Sequence, residues 1–198
     1  ISYVPLFVQV GLGGSAVEAG RALTPLILGW VVMSVLTGWV VLRIGYRPMV
    51  LAGLLCVTLG FGGLTRIDGQ SAVWLLRTDL TLMGAGMGMT MLSLVLAMQN
   101  VVARRNMGVA TSFGHFTRSI GGAVGVALLG AVIAGALPVG QEPTGAEMTR
   151  AIHRAFWFAA VVSAAAVVSA LRIPVGLPAD LAHRDHAPDE RPQEARGA

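Results

Sequence analysis

The sequence predicts an all-α membrane protein, and three observations lead to this fold class. Of its 198 residues, 55% are hydrophobic and only 12% are charged, which is about half the charged share of an ordinary soluble domain. The mean hydropathy is +0.72. The apolar residues also form long blocks separated by short polar connections. Since a helix satisfies its own backbone hydrogen bonds in lipid, each block is expected to be a membrane-spanning helix.

Six apolar segments follow one another along the chain, at about 1–12, 22–42, 49–64, 75–98, 109–137 and 155–173. The first would form a helix of roughly 18 Å, whereas the hydrocarbon core is about 30 Å thick. Because the chain also opens on Ile1 inside an apolar run, we expect a truncated first span and a chain that is part of a longer protein. Residues 174–198 contain four prolines and many charges, which predicts a disordered tail.

The composition also argues against several function classes. The net charge is +4, but the arginines lie singly or in pairs at the ends of apolar segments, so no nucleic-acid partner is expected. Cys56 is the single cysteine, which excludes a disulfide within the chain and a cysteine metal cluster. Neither paired carboxylates nor a nucleophile motif is present, so we expect no enzyme, no cofactor and no metal.

The charges at the segment ends give a weak orientation signal. Arginines without nearby acids lie on the side of the tail: Arg43, Arg47, Arg104, Arg105 and Arg172. The other side has the same number of arginines, mixed with acidic residues. Because the positive-inside rule counts basic residues, Arg184 in the near tail favours a cytoplasmic C-terminus.

Three stretches carry a family resemblance. Residues 3–25, "YVPLFVQVGLGGSAVEAGRALTP", contain Tyr-x-Pro-x-Phe-x-Gln followed by Gly-Ser, Ala-Gly and Pro. Residues 38–48, "GWVVLRIGYRP", are close to Gly-x-x-x-Asp-Arg-x-Gly-x-Arg, and residues 97–130, "AMQNVVARRNMGVATSFGHFTRSIGGAVGVALLG", contain Gly-x-Ala and Arg-x-x-Gly-Gly-x-x-Gly. In this order they resemble the C-terminal half of the drug:proton antiporter branch with fourteen spans (EmrB/QacA type) of the major facilitator superfamily.

This resemblance implies a six-helix half of a major facilitator transporter, with its first helix truncated, in a bacterial inner membrane and with the C-terminus in the cytoplasm. It implies export of drugs or of apolar or cationic small molecules in exchange for protons, and a missing N-terminal half that supplies the other wall of the substrate cavity. The non-transporting alternative is a six-span membrane protein or a degenerate transporter fragment.

The loop signature is formed by Gly38, Arg43, Gly45 and Arg47, and Leu42 stands where the resemblance expects Asp. In the family that Asp anchors a charge network that helps to hold one conformational state. We therefore interpret Arg43 and Arg47 first as cytoplasmic anchors and second as gating latches. Gly45 is expected to allow the short turn.

Arg118 lies inside the fifth apolar segment, roughly 15 Å from its start. Because a charge exposed to lipid there costs at least about 2.5–3.5 kcal/mol, we expect Arg118 to face protein or water. His115 precedes it by one helical turn and shares its face. The two residues are candidates for gating, coupling or substrate contact, and the structural alternative is a snorkelling arginine.

Small and methionine residues supply the remaining candidates. Gly84 with Gly88, and Gly121 with Gly125, have the spacing of close helix packing in membranes. Methionines form a stripe on the fourth segment at Met83, Met87, Met91 and Met98, which suits either a pocket for varied apolar ligands or ordinary packing. Trp30 is a further cavity candidate.

Proton coupling requires a group that binds a proton, and no carboxylate lies deep in any predicted span. Asp79 comes nearest, close to Arg77 at the outer end of the fourth segment. We therefore expect coupling to depend mainly on the missing half or on His115.

Overall fold

The computed structural model describes residues 15–66, 73–137 and 145–172, and within these ranges every regular element is helical. Its α-helices are α1 (Ala16–Ala22), α2 (Thr24–Ile44), α3 (Tyr46–Leu64), α4 (Val73–Val101), α5 (Met107–Gly135) and α6 (Gly145–Ala170). A 3₁₀ turn at Arg104–Asn106 precedes α5. Five stretches of these ranges, with α1 and α2 counted together, are long and apolar enough to cross a membrane.

The predicted all-α membrane fold class is therefore confirmed. The predicted first span at 1–12 and the predicted tail at 174–198 lie outside the described residues.

Local sequence signals set several helix ends. Ser15 caps α1 in a capping box, in which its hydroxyl accepts from the Glu18 N–H and the Glu18 carboxylate accepts from the Ser15 N–H. Pro25 stands in the first turn of α2, where its missing N–H costs nothing. Gly45 alone separates α2 from α3, so the two helices reverse direction over a single residue.

Helix α4 lies at the centre of the bundle and packs along α2 on one side and along α3 on the other. Helix α6 covers α3, and α5 packs mainly on α6, which gives the spatial order α2, α4, α3, α6, α5. The core joins α2, α3, α4, α5 and α6, and its largest fully buried members are Leu26, Leu64, Leu80, Met83 and Ile152. Mid-helix, the Ser163 hydroxyl of α6 lies 2.8 Å from that of Thr58 in α3.

Helix α6 begins well before the apolar segment that predicted it. Its first turns carry Glu147, Arg150 and Arg154. These charges lower the average hydropathy of the stretch, so it does not stand out as part of an apolar segment. The opposite face of these turns is apolar and buried, with Ile152 at 0% exposure and Phe156 at 4%. The start of the helix is therefore amphipathic, and burial against the core stabilises it.

The bundle has two ends, which we call the signature end and the opposite end. The signature end contains the α2–α3 turn, the end of α4, the start of α5 and the end of α6. The opposite end contains α1, the start of α2, the end of α3 and the start of α4.

Candidate functional site

The glycines of α4 bring three helix backbones into direct contact. A Cβ built on Gly88 would lie 2.6 Å from the Trp30 carbonyl oxygen of α2, and one on Gly84 would overlap the Leu26 carbonyl oxygen. On the other side of α4, a Cβ on Gly86 would overlap the Gly53 carbonyl oxygen of α3. Only glycine fits at these positions, so α2, α4 and α3 form a tightly packed unit.

The contact between α4 and α5 is of a different kind, because flexible side chains make it. The Arg118 guanidinium Nη1 lies 3.5 Å from the Met91 Sδ, a distance at which sulfur is a weak acceptor. Nearer the signature end, the Met98 Cε lies 3.2 Å from the Cβ position of Gly114. We call these four residues the α4–α5 seam. It brings together Met91 and Arg118, two of the residues that the sequence proposed for a cavity.

The other cavity candidates do not all join the seam. Met83 is 1% exposed in the core, with its Cγ against Gly60 of α3, so it fills the core and does not line a cavity. The reason is that the methionine stripe drifts around α4, and its first member reaches the buried side that faces α3. Trp30 and Met87 are half-buried, whereas His115 is exposed beside the seam.

Most of α5 has no protein cover within the described residues. Ile133 is the fully buried member of this helix, while Phe113 and Phe116 are more than half exposed. Apart from neighbouring residues of α5 itself, no atom of the described chain lies within 4 Å of a Cβ built on Gly121 or Gly125. The structure therefore places the first predicted glycine pair, Gly84 and Gly88, against α2 and leaves the second pair open.

The loop signature forms a turn that also holds the end of α6. Gly45 has a φ of 96°, which favours glycine because a side chain would be strained there. The Arg47 Nη2 donates to the Leu171 carbonyl oxygen at 2.7 Å, and so caps the last turn of α6. Arg43 is exposed at the same end. Gly38 is in ordinary contact with Leu92 of α4, at 3.7 Å from its Cβ position.

Sequence reasoning missed a second clamp at the signature end. The Asn100 amide donates to the hydroxyl oxygen of Tyr46 at 2.8 Å, and Tyr46 is only 5% exposed. This bond ties the start of α3 to the end of α4. The available signal was a tyrosine inside the loop signature and an asparagine closing a long apolar helix.

Asp79 is the second residue whose setting sequence reasoning missed. Its carboxyl group packs onto Gly63 of α3 so closely that a Cβ on Gly63 would overlap all three carboxyl atoms. The Oδ2 atom is buried and has no hydrogen-bond partner among the described residues. The signal in the sequence was the pair of glycines at the end of the third segment, which leaves room for a side chain from a neighbouring helix.

The described ranges contain no group of three His, Cys, Asp or Glu residues that could hold a metal ion. Their charged side chains lie mostly near the helix ends, with Arg118 at the α4–α5 seam, while the apolar faces of several helices are exposed. This arrangement defines a multi-pass helical membrane protein.

Comparison with known families then assigns the chain. Residues 1–126 match the family model described as Major Facilitator Superfamily, and the chain belongs to that family. It is similar to the multidrug transporter protein MdtP of Bacillus subtilis (strain 168), with 37% identity over 132 residues that cover 67% of this chain and 24% of the relative.

Two further relatives have comparable coverage. Multidrug resistance protein 3 of Bacillus subtilis (strain 168) is 32% identical over 131 residues, which are 66% of this chain and 25% of the relative. The efflux pump roqT of Penicillium rubens is 28% identical over 131 residues, which are 65% of this chain and 24% of the relative. The chain thus spans about a quarter of the length of these curated relatives.

Proposed function

We propose that this chain is part of a secondary active efflux transporter that exports drugs or apolar or cationic small molecules in exchange for protons. Family membership and relatives named as multidrug transporter, multidrug resistance protein and efflux pump support this function. The structural observation that carries it is the α4–α5 seam, where a cation and polarizable methionine side chains meet between apolar helices. Such side chains suit ligands of varied shape.

The same proposal assigns the chain to the C-terminal half of a fourteen-span antiporter of EmrB/QacA type. An uncovered α5 supports it, because its glycines Gly121 and Gly125 leave space for a further helix. The N-terminal half would occupy that space and form the second wall of the cavity. The transporter would lie in a bacterial inner membrane with a cytoplasmic C-terminus, since the signature end carries arginines without acids among the described residues.

Arg118 is the residue of this chain that we propose to act in gating or substrate contact, with His115 beside it. Arg118→Ala in the full-length transporter should reduce export while expression and folding stay normal. Arg105→Ala, an exposed arginine in the 3₁₀ turn, is the control and should export normally. Drug efflux from intact cells and protein abundance in membranes are the measurements. Unaltered efflux by the Arg118 variant would remove this role.

The sequence led us to expect proton coupling in the missing half or at His115; the setting of Asp79 leads us to propose instead that Asp79 is the group of this chain that exchanges the proton. A buried carboxylate oxygen without a partner is unfavourable when charged, and the buried Oδ2 has no hydrogen-bond partner among the described residues. Gly60 and Gly63, the α3 residues that contact Asp79, are uncharged. The nearest cation on α4 is Arg77. The neighbouring helices bring further titratable groups to this end, one just after α3 and four on the first turns of α6: Arg66, Glu147, Arg150, His153 and Arg154.

Three variants test the role of Asp79. Asp79→Asn should abolish the dependence of export on an imposed pH gradient in proteoliposomes, while substrate binding persists. Gly63→Ala should weaken that dependence because the new methyl group displaces the carboxyl group. Gly62→Ala, whose methyl group meets no described atom within 4 Å outside its own stretch of α3, should leave the dependence unchanged. Wild-type proton dependence in Asp79→Asn would exclude this assignment and leave the proposal of efflux standing.

A further inference from the structure

A cavity of about 490 Å³ opens at the opposite end of the bundle, between α1, α2 and α4. Its lining combines two arginines, two threonines and an apolar edge: Arg21, Thr24, Pro25, Leu28, Arg77 and Thr81. This volume is within the range of ordinary ligand sites. The cavity lies at the start of α2, whereas the loop signature lies at the end of this helix. It shares no residue with the α4–α5 seam.

The backbone beneath the cavity is held firmly. A Cβ on Gly29 would lie 2.5 Å from the Thr81 carbonyl oxygen, and one on Gly84 would overlap the Leu26 carbonyl oxygen. Because α2 and α4 touch at both positions, the distance between the two helices is fixed just below the cavity. Arg77, on α4, is therefore held at a fixed distance from the α2 wall of the cavity, and Arg21 lies on α1 next to the start of α2.

Two cations lining one cavity repel each other. Glu18, on α1, attracts Arg21 but is not among the residues that line the cavity, and its carboxylate also accepts from the Ser15 N–H at 2.7 Å and from the Ser15 hydroxyl at 3.1 Å. No carboxylate is among the described residues that line the cavity. A bound anion would remove the repulsion, and planar guanidinium groups match the oxygens of a phosphate group.

The apolar edge indicates what carries the phosphate. Leu28 is 58% exposed, and the exposed apolar surface continues along α2 through Ile27, Val31, Val32 and Val35. A free phosphate ion would gain nothing from this surface. A phospholipid would place its phosphate between the arginines and its acyl chain along α2, at the level where a span meets the interface.

We infer that Arg21 and Arg77 form a binding site for the phosphate of an anionic phospholipid at the opposite end of the bundle. The site does not depend on the transport cycle, and it holds a structural lipid whether or not the protein exports drugs. Phosphatidylglycerol is the probe that fits it, since its headgroup keeps the negative charge of the phosphate. Zwitterionic phosphatidylcholine carries a compensating cation and fits poorly.

The test uses the intact protein, purified in a neutral detergent and stripped of lipid. Thermal unfolding is followed while phosphatidylglycerol, phosphatidylcholine or inorganic phosphate is added. We expect phosphatidylglycerol to raise the unfolding midpoint by several degrees, because a ligand that binds only the folded state stabilises it. The combined substitution Arg21→Gln and Arg77→Gln should weaken the apparent lipid affinity about 30-fold.

Arg66→Gln is the matched control, because Arg66 is an exposed arginine at the same end that does not line the cavity. It should keep the full response to phosphatidylglycerol. Native mass spectrometry gives a second measurement that counts lipids only on folded molecules. There the double variant should lose one tightly held phosphatidylglycerol that wild type and the Arg66 variant retain.

Three results would overturn the inference. An equal response to phosphatidylcholine would show that binding does not depend on the net negative charge of the lipid headgroup. A full response to inorganic phosphate alone would assign the cavity to a free anion and not to a lipid. An unchanged lipid count in the double variant would place the lipid elsewhere on the protein.

Discussion

Replacing Gly88 by alanine tests the close contact between α2 and α4 with a single methyl group. The added Cβ would lie 2.6 Å from the Trp30 carbonyl oxygen, 2.9 Å from the Ser34 nitrogen and 3.1 Å from the Ser34 Oγ. Two of these atoms belong to the backbone of α2 and cannot rotate away. The helices must therefore move apart for the methyl group to fit.

The expected cost follows from the size of that movement. The optimal separation of non-bonded heavy atoms is about 3.5 Å, so the Trp30 carbonyl oxygen would be almost 1 Å too close to the added Cβ. Overpacking of this kind costs about 1–3 kcal/mol. Alanine recovers up to about 1 kcal/mol because it is the better helix former. We expect a net loss of about 1–2 kcal/mol in the free energy of unfolding.

Gly62→Ala is the matched control for this substitution. Gly62 also lies in a helix, α3, but no described atom outside its own stretch of α3 is within 4 Å of its Cβ position, so only the propensity gain applies. The two variants should thus differ by about 2 kcal/mol, or roughly 4–8 °C in unfolding midpoint for a chain of this size. Thermal unfolding of the purified protein in detergent, followed by tryptophan fluorescence, measures it. An alanine at 88 that is as stable as one at 62 would refute the backbone contact.

Two further substitutions address other parts of the fold. Gly45→Ala forces a side chain into the left-handed φ of 96°, so it should cost about 1–2 kcal/mol and lower the unfolding midpoint relative to Gly62→Ala; an unchanged midpoint would contradict the single-residue turn. Gly121→Leu should reduce the yield of folded full-length protein in detergent, because the leucine would fill the space that we assign to the other half; a normal yield would speak against that packing.

Composition and hydropathy were sufficient to predict the helical membrane fold class, because a bilayer leaves a chain few other ways to satisfy its backbone. Helix ends were less accessible to this reasoning. The first turns of α6 carry charges on one face and bury Ile152 and Phe156 on the other. A window average over hydropathy cannot separate the two faces, so the start of the helix was placed too late.

The partners of each helix face could not be predicted from spacing alone. Gly84 with Gly88 and Gly121 with Gly125 share one pattern, yet the first pair touches α2 and the second has no described neighbour. Periodicity assigns residues to a common face but does not say which helix covers that face. The carboxyl group of Asp79 lies against Gly63 for the same reason, since that contact joins helices whose pairing no local signal encodes.

The central position of α4 determines which contacts of the bundle can change at low cost. Gly88 and Gly86 place two sides of α4 in direct backbone contact with α2 and α3. Separating these helices would therefore expose closely packed surfaces on both partners. The α4–α5 seam is made instead by Met98, Met91 and Arg118, whose side chains have several rotatable bonds and can follow a moving partner. A displacement of α5 against the other helices therefore requires only side-chain rearrangement at this seam. Residues proposed for substrate contact thus lie at the helix contact of α4 that can rearrange with the smallest structural change.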